Sequence, residues 1–189
     1  MGDIVTLTGP SGAGKTTLAG ELIRLWPERF KMVVSITTRE PRTGARADLP
    51  GEYMCVSRDD FLFLECRYLF LWTKFVHGNF YGTLSESVDK ALEASHAPLM
   101  ILTIDAVEDL KRFVGDRMRP FYIHRPEILI RESLEGKESP EIIARRMADC
   151  RDWLERSKRS SIEFQYILNN GSVAELVRRF FNIHRMHQK

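Results

Sequence analysis

Short apolar runs of strand length alternate along the chain with longer stretches in which apolar residues recur at three- and four-residue spacing. That alternation predicts an α/β domain with a mainly parallel sheet in three layers. The first run, residues 4–8 (IVTLT), is β-branched and ends at Gly9; a helix is predicted from Lys15 to about Trp26, where Pro27 stops it. Residues 32–36 read as the next strand, and 37–52 are too rich in arginine and turn residues to be core. A short strand follows at 53–56, and Ser57 with Asp60 three residues on predicts a capped helix over 59–64. Residues 68–76 read as a strand, then a turn at Gly78-Asn79, then Phe80-Tyr81-Gly82, then a helix over 84–94. The run 98–104 (PLMILTI) reads as a buried parallel strand, 107–113 as a helix and 120–124 as a strand. Pro126 opens a helix reaching Leu134, and a long helix is expected over 140–160 after a polar stretch. Residues 164–168 form the last predicted strand, and Ser172 caps the final helix. With no repeat, low-complexity tract or linker, residues 1–189 read as one domain.

Composition narrows the classes. The 189 residues are 43% hydrophobic and 29% charged, enough apolar side chain for a real core and too much for a disordered chain. The 28 basic and 26 acidic residues leave a net charge of +2, so a nucleic-acid partner is not expected, and the basic end 178–189 reads as the cation-rich close of a helix. No apolar run approaches the ~20 residues of a membrane span. Cys55, Cys66 and Cys150 are far apart and show no metal-ligand spacing, which suits reduced thiols in a cytoplasmic protein. No basic patch precedes the first apolar run, so no leader is expected. His77, His96, His124, His184 and His187 are scattered, and none pairs with a serine or cysteine in a nucleophile motif.

The segment Gly9-Pro10-Ser11-Gly12-Ala13-Gly14-Lys15-Thr16 fits G-x-x-x-x-G-K-[ST], and it stands directly after a predicted strand and at the start of a predicted helix. Glycines let backbone N–H groups turn inward around phosphate oxygens, and the helix N-terminus adds positive potential. Lys15 supplies a full charge for the β- and γ-phosphates, and the Thr16 hydroxyl, followed by Thr17, is placed to ligate Mg²⁺. These residues predict binding of a nucleoside triphosphate. Farther on, Arg39 and Arg42 stand three apart around Pro41, a spacing that suits clamping of a dianionic phosphate and equally suits a solvated loop face.

Here the sequence resembles the guanylate kinase family. The matching pieces follow in the family's order: GPSGAGKTTL at 9–18, SITTREPRTG at 35–44, Glu52-Tyr53, GNFYGT at 78–83, Asp105, and Leu168-Asn169-Asn170. The resemblance implies a P-loop kinase with an acceptor-binding subdomain over about 35–84 and a helical lid over about 126–160. It implies that Arg39, Arg42, Tyr53 and Tyr81 hold the acceptor's 5′-phosphate, and that Ser35 and Thr83 touch a guanine edge with Asp105 near the base. Arg146 would reach the transferring phosphate from the lid, and Asn169 would lie at the adenine end. ATP and Mg²⁺ are the cofactors it implies, small nucleotides the partners, in a monomer or homodimer.

The departures cluster. The clamp loop has Ala45 where the family has glutamate, and an insertion of about two residues follows. Leu71 stands where the family has its guanine-reading glutamate, Thr103 where it has the first of two acids, and Val107-Glu108 near its Gln-Gly. In the lid, the family's Arg-Gly is Lys137-Glu138, while Arg131 and Arg145 are further cations of that segment. Phosphoryl transfer to GMP or dGMP is the activity expected. A same-fold kinase of another phosphorylated acceptor, such as ribose 1,5-bisphosphate or a modified nucleotide, stays open, as does a non-catalytic guanylate-kinase-like binding module. Lys15→Ala is expected to leave the fold intact because an empty loop would give its side chain no contacts.

Overall fold

The computed structural model describes residues 3–44, 47–76, 78–136 and 138–186. Its first strand, β1 (Ile4–Thr8), is buried along its whole length, as a β-branched run inside a parallel sheet covered on both faces must be. Helix α1 (Lys15–Leu25) follows the loop, and the chain then forms β2 (Phe30–Met32), β3 (Ser35–Thr37), β4 (Tyr53–Cys55) and α2 (Arg58–Cys66). Next come β5 (Phe70–Val76), β6 (Asn79–Leu84), α3 (Ser85–Glu93), β7 (Ala97–Ile101), α4 (Ile104–Val114) and β8 (Met118–His124). The remainder is α5 (Glu127–Leu134), α6 (Pro140–Arg159), β9 (Gln165–Leu168) and α7 (Val173–Met186).

Two sheets organise these elements. The larger is parallel, in the order β2-β7-β1-β8-β9, with β1 at its centre. Period-two alternation sends Ile4, Met100 and Tyr122 into one apolar layer with α4, and Val5, Leu7, Leu99, Phe121 and Ile123 into the other with α1 and α7. The smaller sheet, β4-β3-β6-β5, is mixed: β3 runs parallel to β4, and β6 antiparallel to both β3 and β5. Helices α5 and α6 are pinned together by Ile130, Leu134, Met147 and Cys150.

The caps fall where short polar side chains were read as caps. Ser57 Oγ accepts from Asp60 N at 3.1 Å and donates to Asp60 Oδ2 at 2.6 Å. At the head of α7, Ser172 Oγ accepts from Glu175 N at 3.3 Å and Glu175 Oε2 accepts from the Ser172 backbone N–H at 2.8 Å. Three strand expectations change. The single strand expected at 32–36 is two strands in different sheets: Val33 N still bonds Leu99 O in the large sheet, whereas Ser35 N bonds Glu52 O in the small one. Val33 on one side and Ile36 on the other are both buried, so the change of sheet falls inside one apolar run. The strand expected to run to 104 ends at Ile101, because Thr103 Oγ1 accepts from Ala106 N and starts α4, whose apolar stripe begins with Ile104. The strand expected from 68 begins at Phe70, since Tyr68 has a left-handed φ of 56° and ends the α2 turn instead.

Candidate active site

One cleft of about 700 Å³ opens at the carboxyl ends of β1, β7 and β8, within the size range of small-molecule sites. Its donor end is the loop after β1. Gly9 has φ 144°, and a Cβ there would lie 2.5 Å from Ile123 O, so the loop can leave β1 beside β8 only through glycine. Gly14 caps α1 in the left-handed conformation, where a side chain would collide with Asn169. The Asn169 amide is spent on the loop: Nδ2 donates to Ala13 O at 2.8 Å, while its backbone N holds His124 O at 2.7 Å. Asn169 also lines the cleft, joining Gly9, Ser11, Gly12, Gly14, Lys15, Thr16 and Thr17. Of the predicted loop residues, Pro10 and Ala13 stay behind this wall; Pro10 accepts from Lys15 and Ala13 is buried.

Lys15 does not dangle. Its Nζ donates to Gly9 O at 2.7 Å and Pro10 O at 2.8 Å, which corrects the expectation of a lysine without contacts. Burial lowers its pKa from 10.5 to about 8, with the nearby Cys150 thiol pulling weakly the other way. Cys150 belongs to α6, and Ile130 of α5 lies 3.5 Å from where a Gly12 Cβ would be, so these two helices sit directly over the loop.

The acceptor end draws on the smaller sheet and the loop between β3 and β4. Arg42, Tyr53 and Tyr81 line the cleft, with the two tyrosine rings edge to face at 5.9 Å. Arg39 lies behind them, its guanidinium 5.4 Å over the Tyr53 ring and its Nη2 on Asp48 Oδ1 at 2.7 Å. Burial alone would weaken the Arg39 charge, but Asp48 and Tyr81 outweigh it and hold the pKa above its ordinary value. Asp48 Oδ2 also accepts from Arg42 N at 3.0 Å, so a single carboxylate fixes the arginine loop. Burial pushes the Tyr53 hydroxyl strongly up, so it stays a protonated donor, and Glu52 beside it is raised for the same reason.

Ser35 and Thr83, expected at the guanine edge, are buried beneath the wall and satisfy each other at 2.8 Å. Above them the register of β5 decides what the cleft sees. A β-bulge between Phe70 and Trp72 sets Trp72 opposite Thr83, and Trp72, Lys74 and Val76, two apart, line the cleft. Leu71 is out of phase and does not line the cleft; it packs on the apolar layer, which Trp72 also touches. Of these two positions, Trp72 and not Leu71 lines the cleft. Asp105 is not free: Lys74 Nζ is 3.1 Å and Arg156 Nη2 2.7 Å from its two oxygens. Burial favours its protonated form, but the two cations outweigh this and hold the carboxyl below its ordinary range. Arg146 does not line the cleft; its Nη2 sits 3.4 Å from Glu138 Oε1. Ala45, Lys137, His77 and His187 lie outside the described residues.

Several lining residues escaped the sequence reading: Trp72, Lys74, Arg125, Ser133 and Trp153. Trp72 and Lys74 were legible only through the bulge, and Trp153 only through the rotation of α6. Among the described residues no cluster of three His, Cys, Asp or Glu side chains could cage a metal. No described helix is long and apolar enough to cross a membrane.

Comparison with known proteins agrees with this geometry. The family model described as guanylate kinase matches residues 1–184. The guanylate kinase of Desulfitobacterium hafniense (strain Y51) is 33% identical over 175 residues, spanning 91% of this chain and 84% of that protein. That of Trichodesmium erythraeum (strain IMS101) is 30% identical over 186 residues, spanning 96% and 95%. Among solved structures, a guanylate kinase from Anaplasma phagocytophilum superposes with a TM-score of 0.71 at 22% identity, covering 99% of this chain and 86% of that one. A gluconokinase from Sinorhizobium meliloti 1021 shares only the fold, at a TM-score of 0.52 and 11% identity, over 98% of this chain and 94% of that one. With the glycine loop, the arginine loop and the paired tyrosines meeting in one cleft, and a family match over nearly the whole length, this chain belongs to the guanylate kinase family.

Proposed function

We propose that the chain transfers the terminal phosphoryl group of ATP to the phosphate of GMP or dGMP, giving ADP and the nucleoside diphosphate. One observation carries this reading: the loop bearing Lys15 and Thr16 and the phosphate-holding set Arg42, Tyr53 and Tyr81 face one another across a single cleft. Transfer between two anions demands positioning and charge neutralisation more than covalent chemistry. Loop amides and Lys15 hold the donor's phosphates; Arg42, Arg39 and the two tyrosine hydroxyls hold the acceptor's. Thr16 supplies a hard oxygen ligand, and among the described residues no cluster of three carboxylate, His or Cys side chains could cage an ion, which fits Mg²⁺ shared with the donor's phosphates. When bound, that ion would neutralise charge on the phosphate oxygens. Residues 35–84 act as the acceptor subdomain and 126–160 as the lid. Arg146 reaches the phosphates only if lid movement separates it from Glu138.

A second feature qualifies the acceptor. Guanine presents N1–H and N2–H donors; toward the base end the cleft is lined by the Trp72 indole, while Asp105 does not line it and is held by Lys74 and Arg156. A site without a free acceptor for those hydrogens discriminates weakly among bases. A coupled ADP-release assay over all nucleoside monophosphates and ribose 1,5-bisphosphate tests both points. Turnover of GMP that Lys15→Ala cuts by ~10²–10³-fold is expected; no turnover with any monophosphate would overturn the reading.

A further inference from the structure

The cations around the cleft divide by whether the protein has already matched them. Arg39 is paired with Asp48, Arg146 with Glu138, and Lys74 and Arg156 with Asp105. Lys15 is tied to two loop carbonyls. Two guanidiniums that line the cleft have no ion-pair partner among the described residues: Arg42 at the acceptor end, and Arg125 at the donor end. Arg125 is partly buried, and its Nε is shielded from solvent without a hydrogen-bond partner among the described residues. The nearest acid in sequence, Glu127, is held by Arg151 at 2.8 Å. A guanidinium whose Nε has given up water and found no acceptor carries a cost that an anionic ligand would relieve.

Its placement says which ligand. β8 runs parallel to β1 with Tyr122 beside Thr8, so the chain leaving His124 travels alongside the glycine loop. Ile123 O already touches the space where a Gly9 side chain would be. Pro126 follows Arg125 and restricts its backbone to extended conformations, and α5 begins at the next residue, so the side chain projects from a fixed base.

Resting on the kinase reading above, we infer that Arg125 is a second donor-phosphate cation, reaching the ATP polyphosphate from the β8 side of the loop opposite Lys15. It forms and breaks no covalent bond. Its fork supplies two parallel N–H donors to phosphate oxygens, where Lys15 supplies a point charge. It also keeps a guanidinium at the donor end while Arg146 is held by Glu138.

The test uses Mg²⁺ with inorganic tripolyphosphate, Mg·ATP and adenosine as three calorimetric probes on the parent, Arg125→Ala, Arg125→Lys and Lys15→Ala, with unliganded melting temperatures beside them. Arg125→Ala should weaken tripolyphosphate and Mg·ATP alike, by ~10–100-fold, the usual worth of a charge-assisted contact. It should leave adenosine binding and the KM for the acceptor unchanged and should not lower the unliganded melting temperature; Arg125→Lys should recover part of the loss. Unchanged tripolyphosphate binding in Arg125→Ala, or a loss confined to adenosine, would overturn the inference, as would a fall in unliganded stability that accounts for the weakened binding. If Lys15→Ala abolishes tripolyphosphate binding while Arg125→Ala does not, this inference alone fails. If neither variant changes it, the kinase reading fails with it.

Discussion

At the donor end of the cleft, much of the lining comes from one contiguous stretch, residues 9–17, whose path is set by backbone conformation. At the acceptor end, Arg42, Tyr53, Trp72, Lys74 and Tyr81 come from a loop and three strands. The donor end is built on glycine conformations that a side chain would destroy; the acceptor end is built on side chains that answer one another, Arg39 to Asp48, Ser35 to Thr83, Lys74 to Asp105. A backbone site recognises a feature common to all nucleotides and tolerates little change in its own chain. A side-chain site can exchange one partner for another and alter which base it accepts, while its phosphate clamp stays as it was.

The contrast can be broken hardest at Lys15. Lys15→Ala removes a buried charge aimed at the transferring phosphates and should cut kcat/KM by ~10²–10³-fold, the loss typical of removing one preorganised electrostatic group. Because Nζ also ties Gly9 and Pro10, the loop should lose protection in hydrogen exchange at the same time.

Next in size come Arg39→Ala and Arg42→Ala. Each should raise the KM for the acceptor by ~10–100-fold and leave ATP binding unchanged in calorimetry. Arg39→Ala should cost more in stability, since it leaves Asp48 without its partner inside the loop, whereas Arg42 offers Asp48 only its backbone N–H. Equal losses for donor and acceptor would make the loop a structural element of the whole cleft.

Trp72→Glu sharpens the contrast from the other side. It places a carboxylate in the cleft opposite Thr83 and should raise the GMP:AMP ratio of kcat/KM by ~10-fold, provided the melting temperature shows the fold retained. Leu71→Glu should not, because that side chain is turned into the apolar layer, and its effect should be loss of stability.

The smallest effect is in pH. Lys15 has a folded pKa of about 8 against an ordinary 10.5, so between those values the folded state binds fewer protons than the unfolded. Stability therefore rises with pH across that window and is flat, at its lower value, below it. Donor binding needs the ammonium, so kcat/KM for ATP should fall above pH ~8 while unfolding midpoints rise, and Lys15→Met should abolish the stability slope.

These two ends were legible to different degrees for the same reason. The glycine loop is a contiguous spacing between a β-branched run and a helix, and its residues sit where that spacing put them. The base end depends on facts no spacing records. The apolar run at 32–36 conceals a change of sheet, and a bulge after Phe70 turns Trp72 rather than Leu71 into the cleft. Arg125 reads in sequence as an arginine before a helix; only the parallel register of β8 with β1 brings it beside the loop. Asp105 was identified as near the base, but its two cations come from β5 and α6, 31 and 51 residues away.

The most direct measurement is kcat/KM for GMP against AMP in the unaltered protein at saturating Mg·ATP. A donor end intact beside a base end where Trp72 lines the cleft and Asp105 is held by two cations should give efficient ATP-dependent turnover of GMP with a GMP:AMP ratio well below the ~10⁴ that a hydrogen-bonding site of full strength provides. A ratio at or above that value would contradict it, and would mean that Asp105 leaves Lys74 and Arg156 to meet the guanine edge.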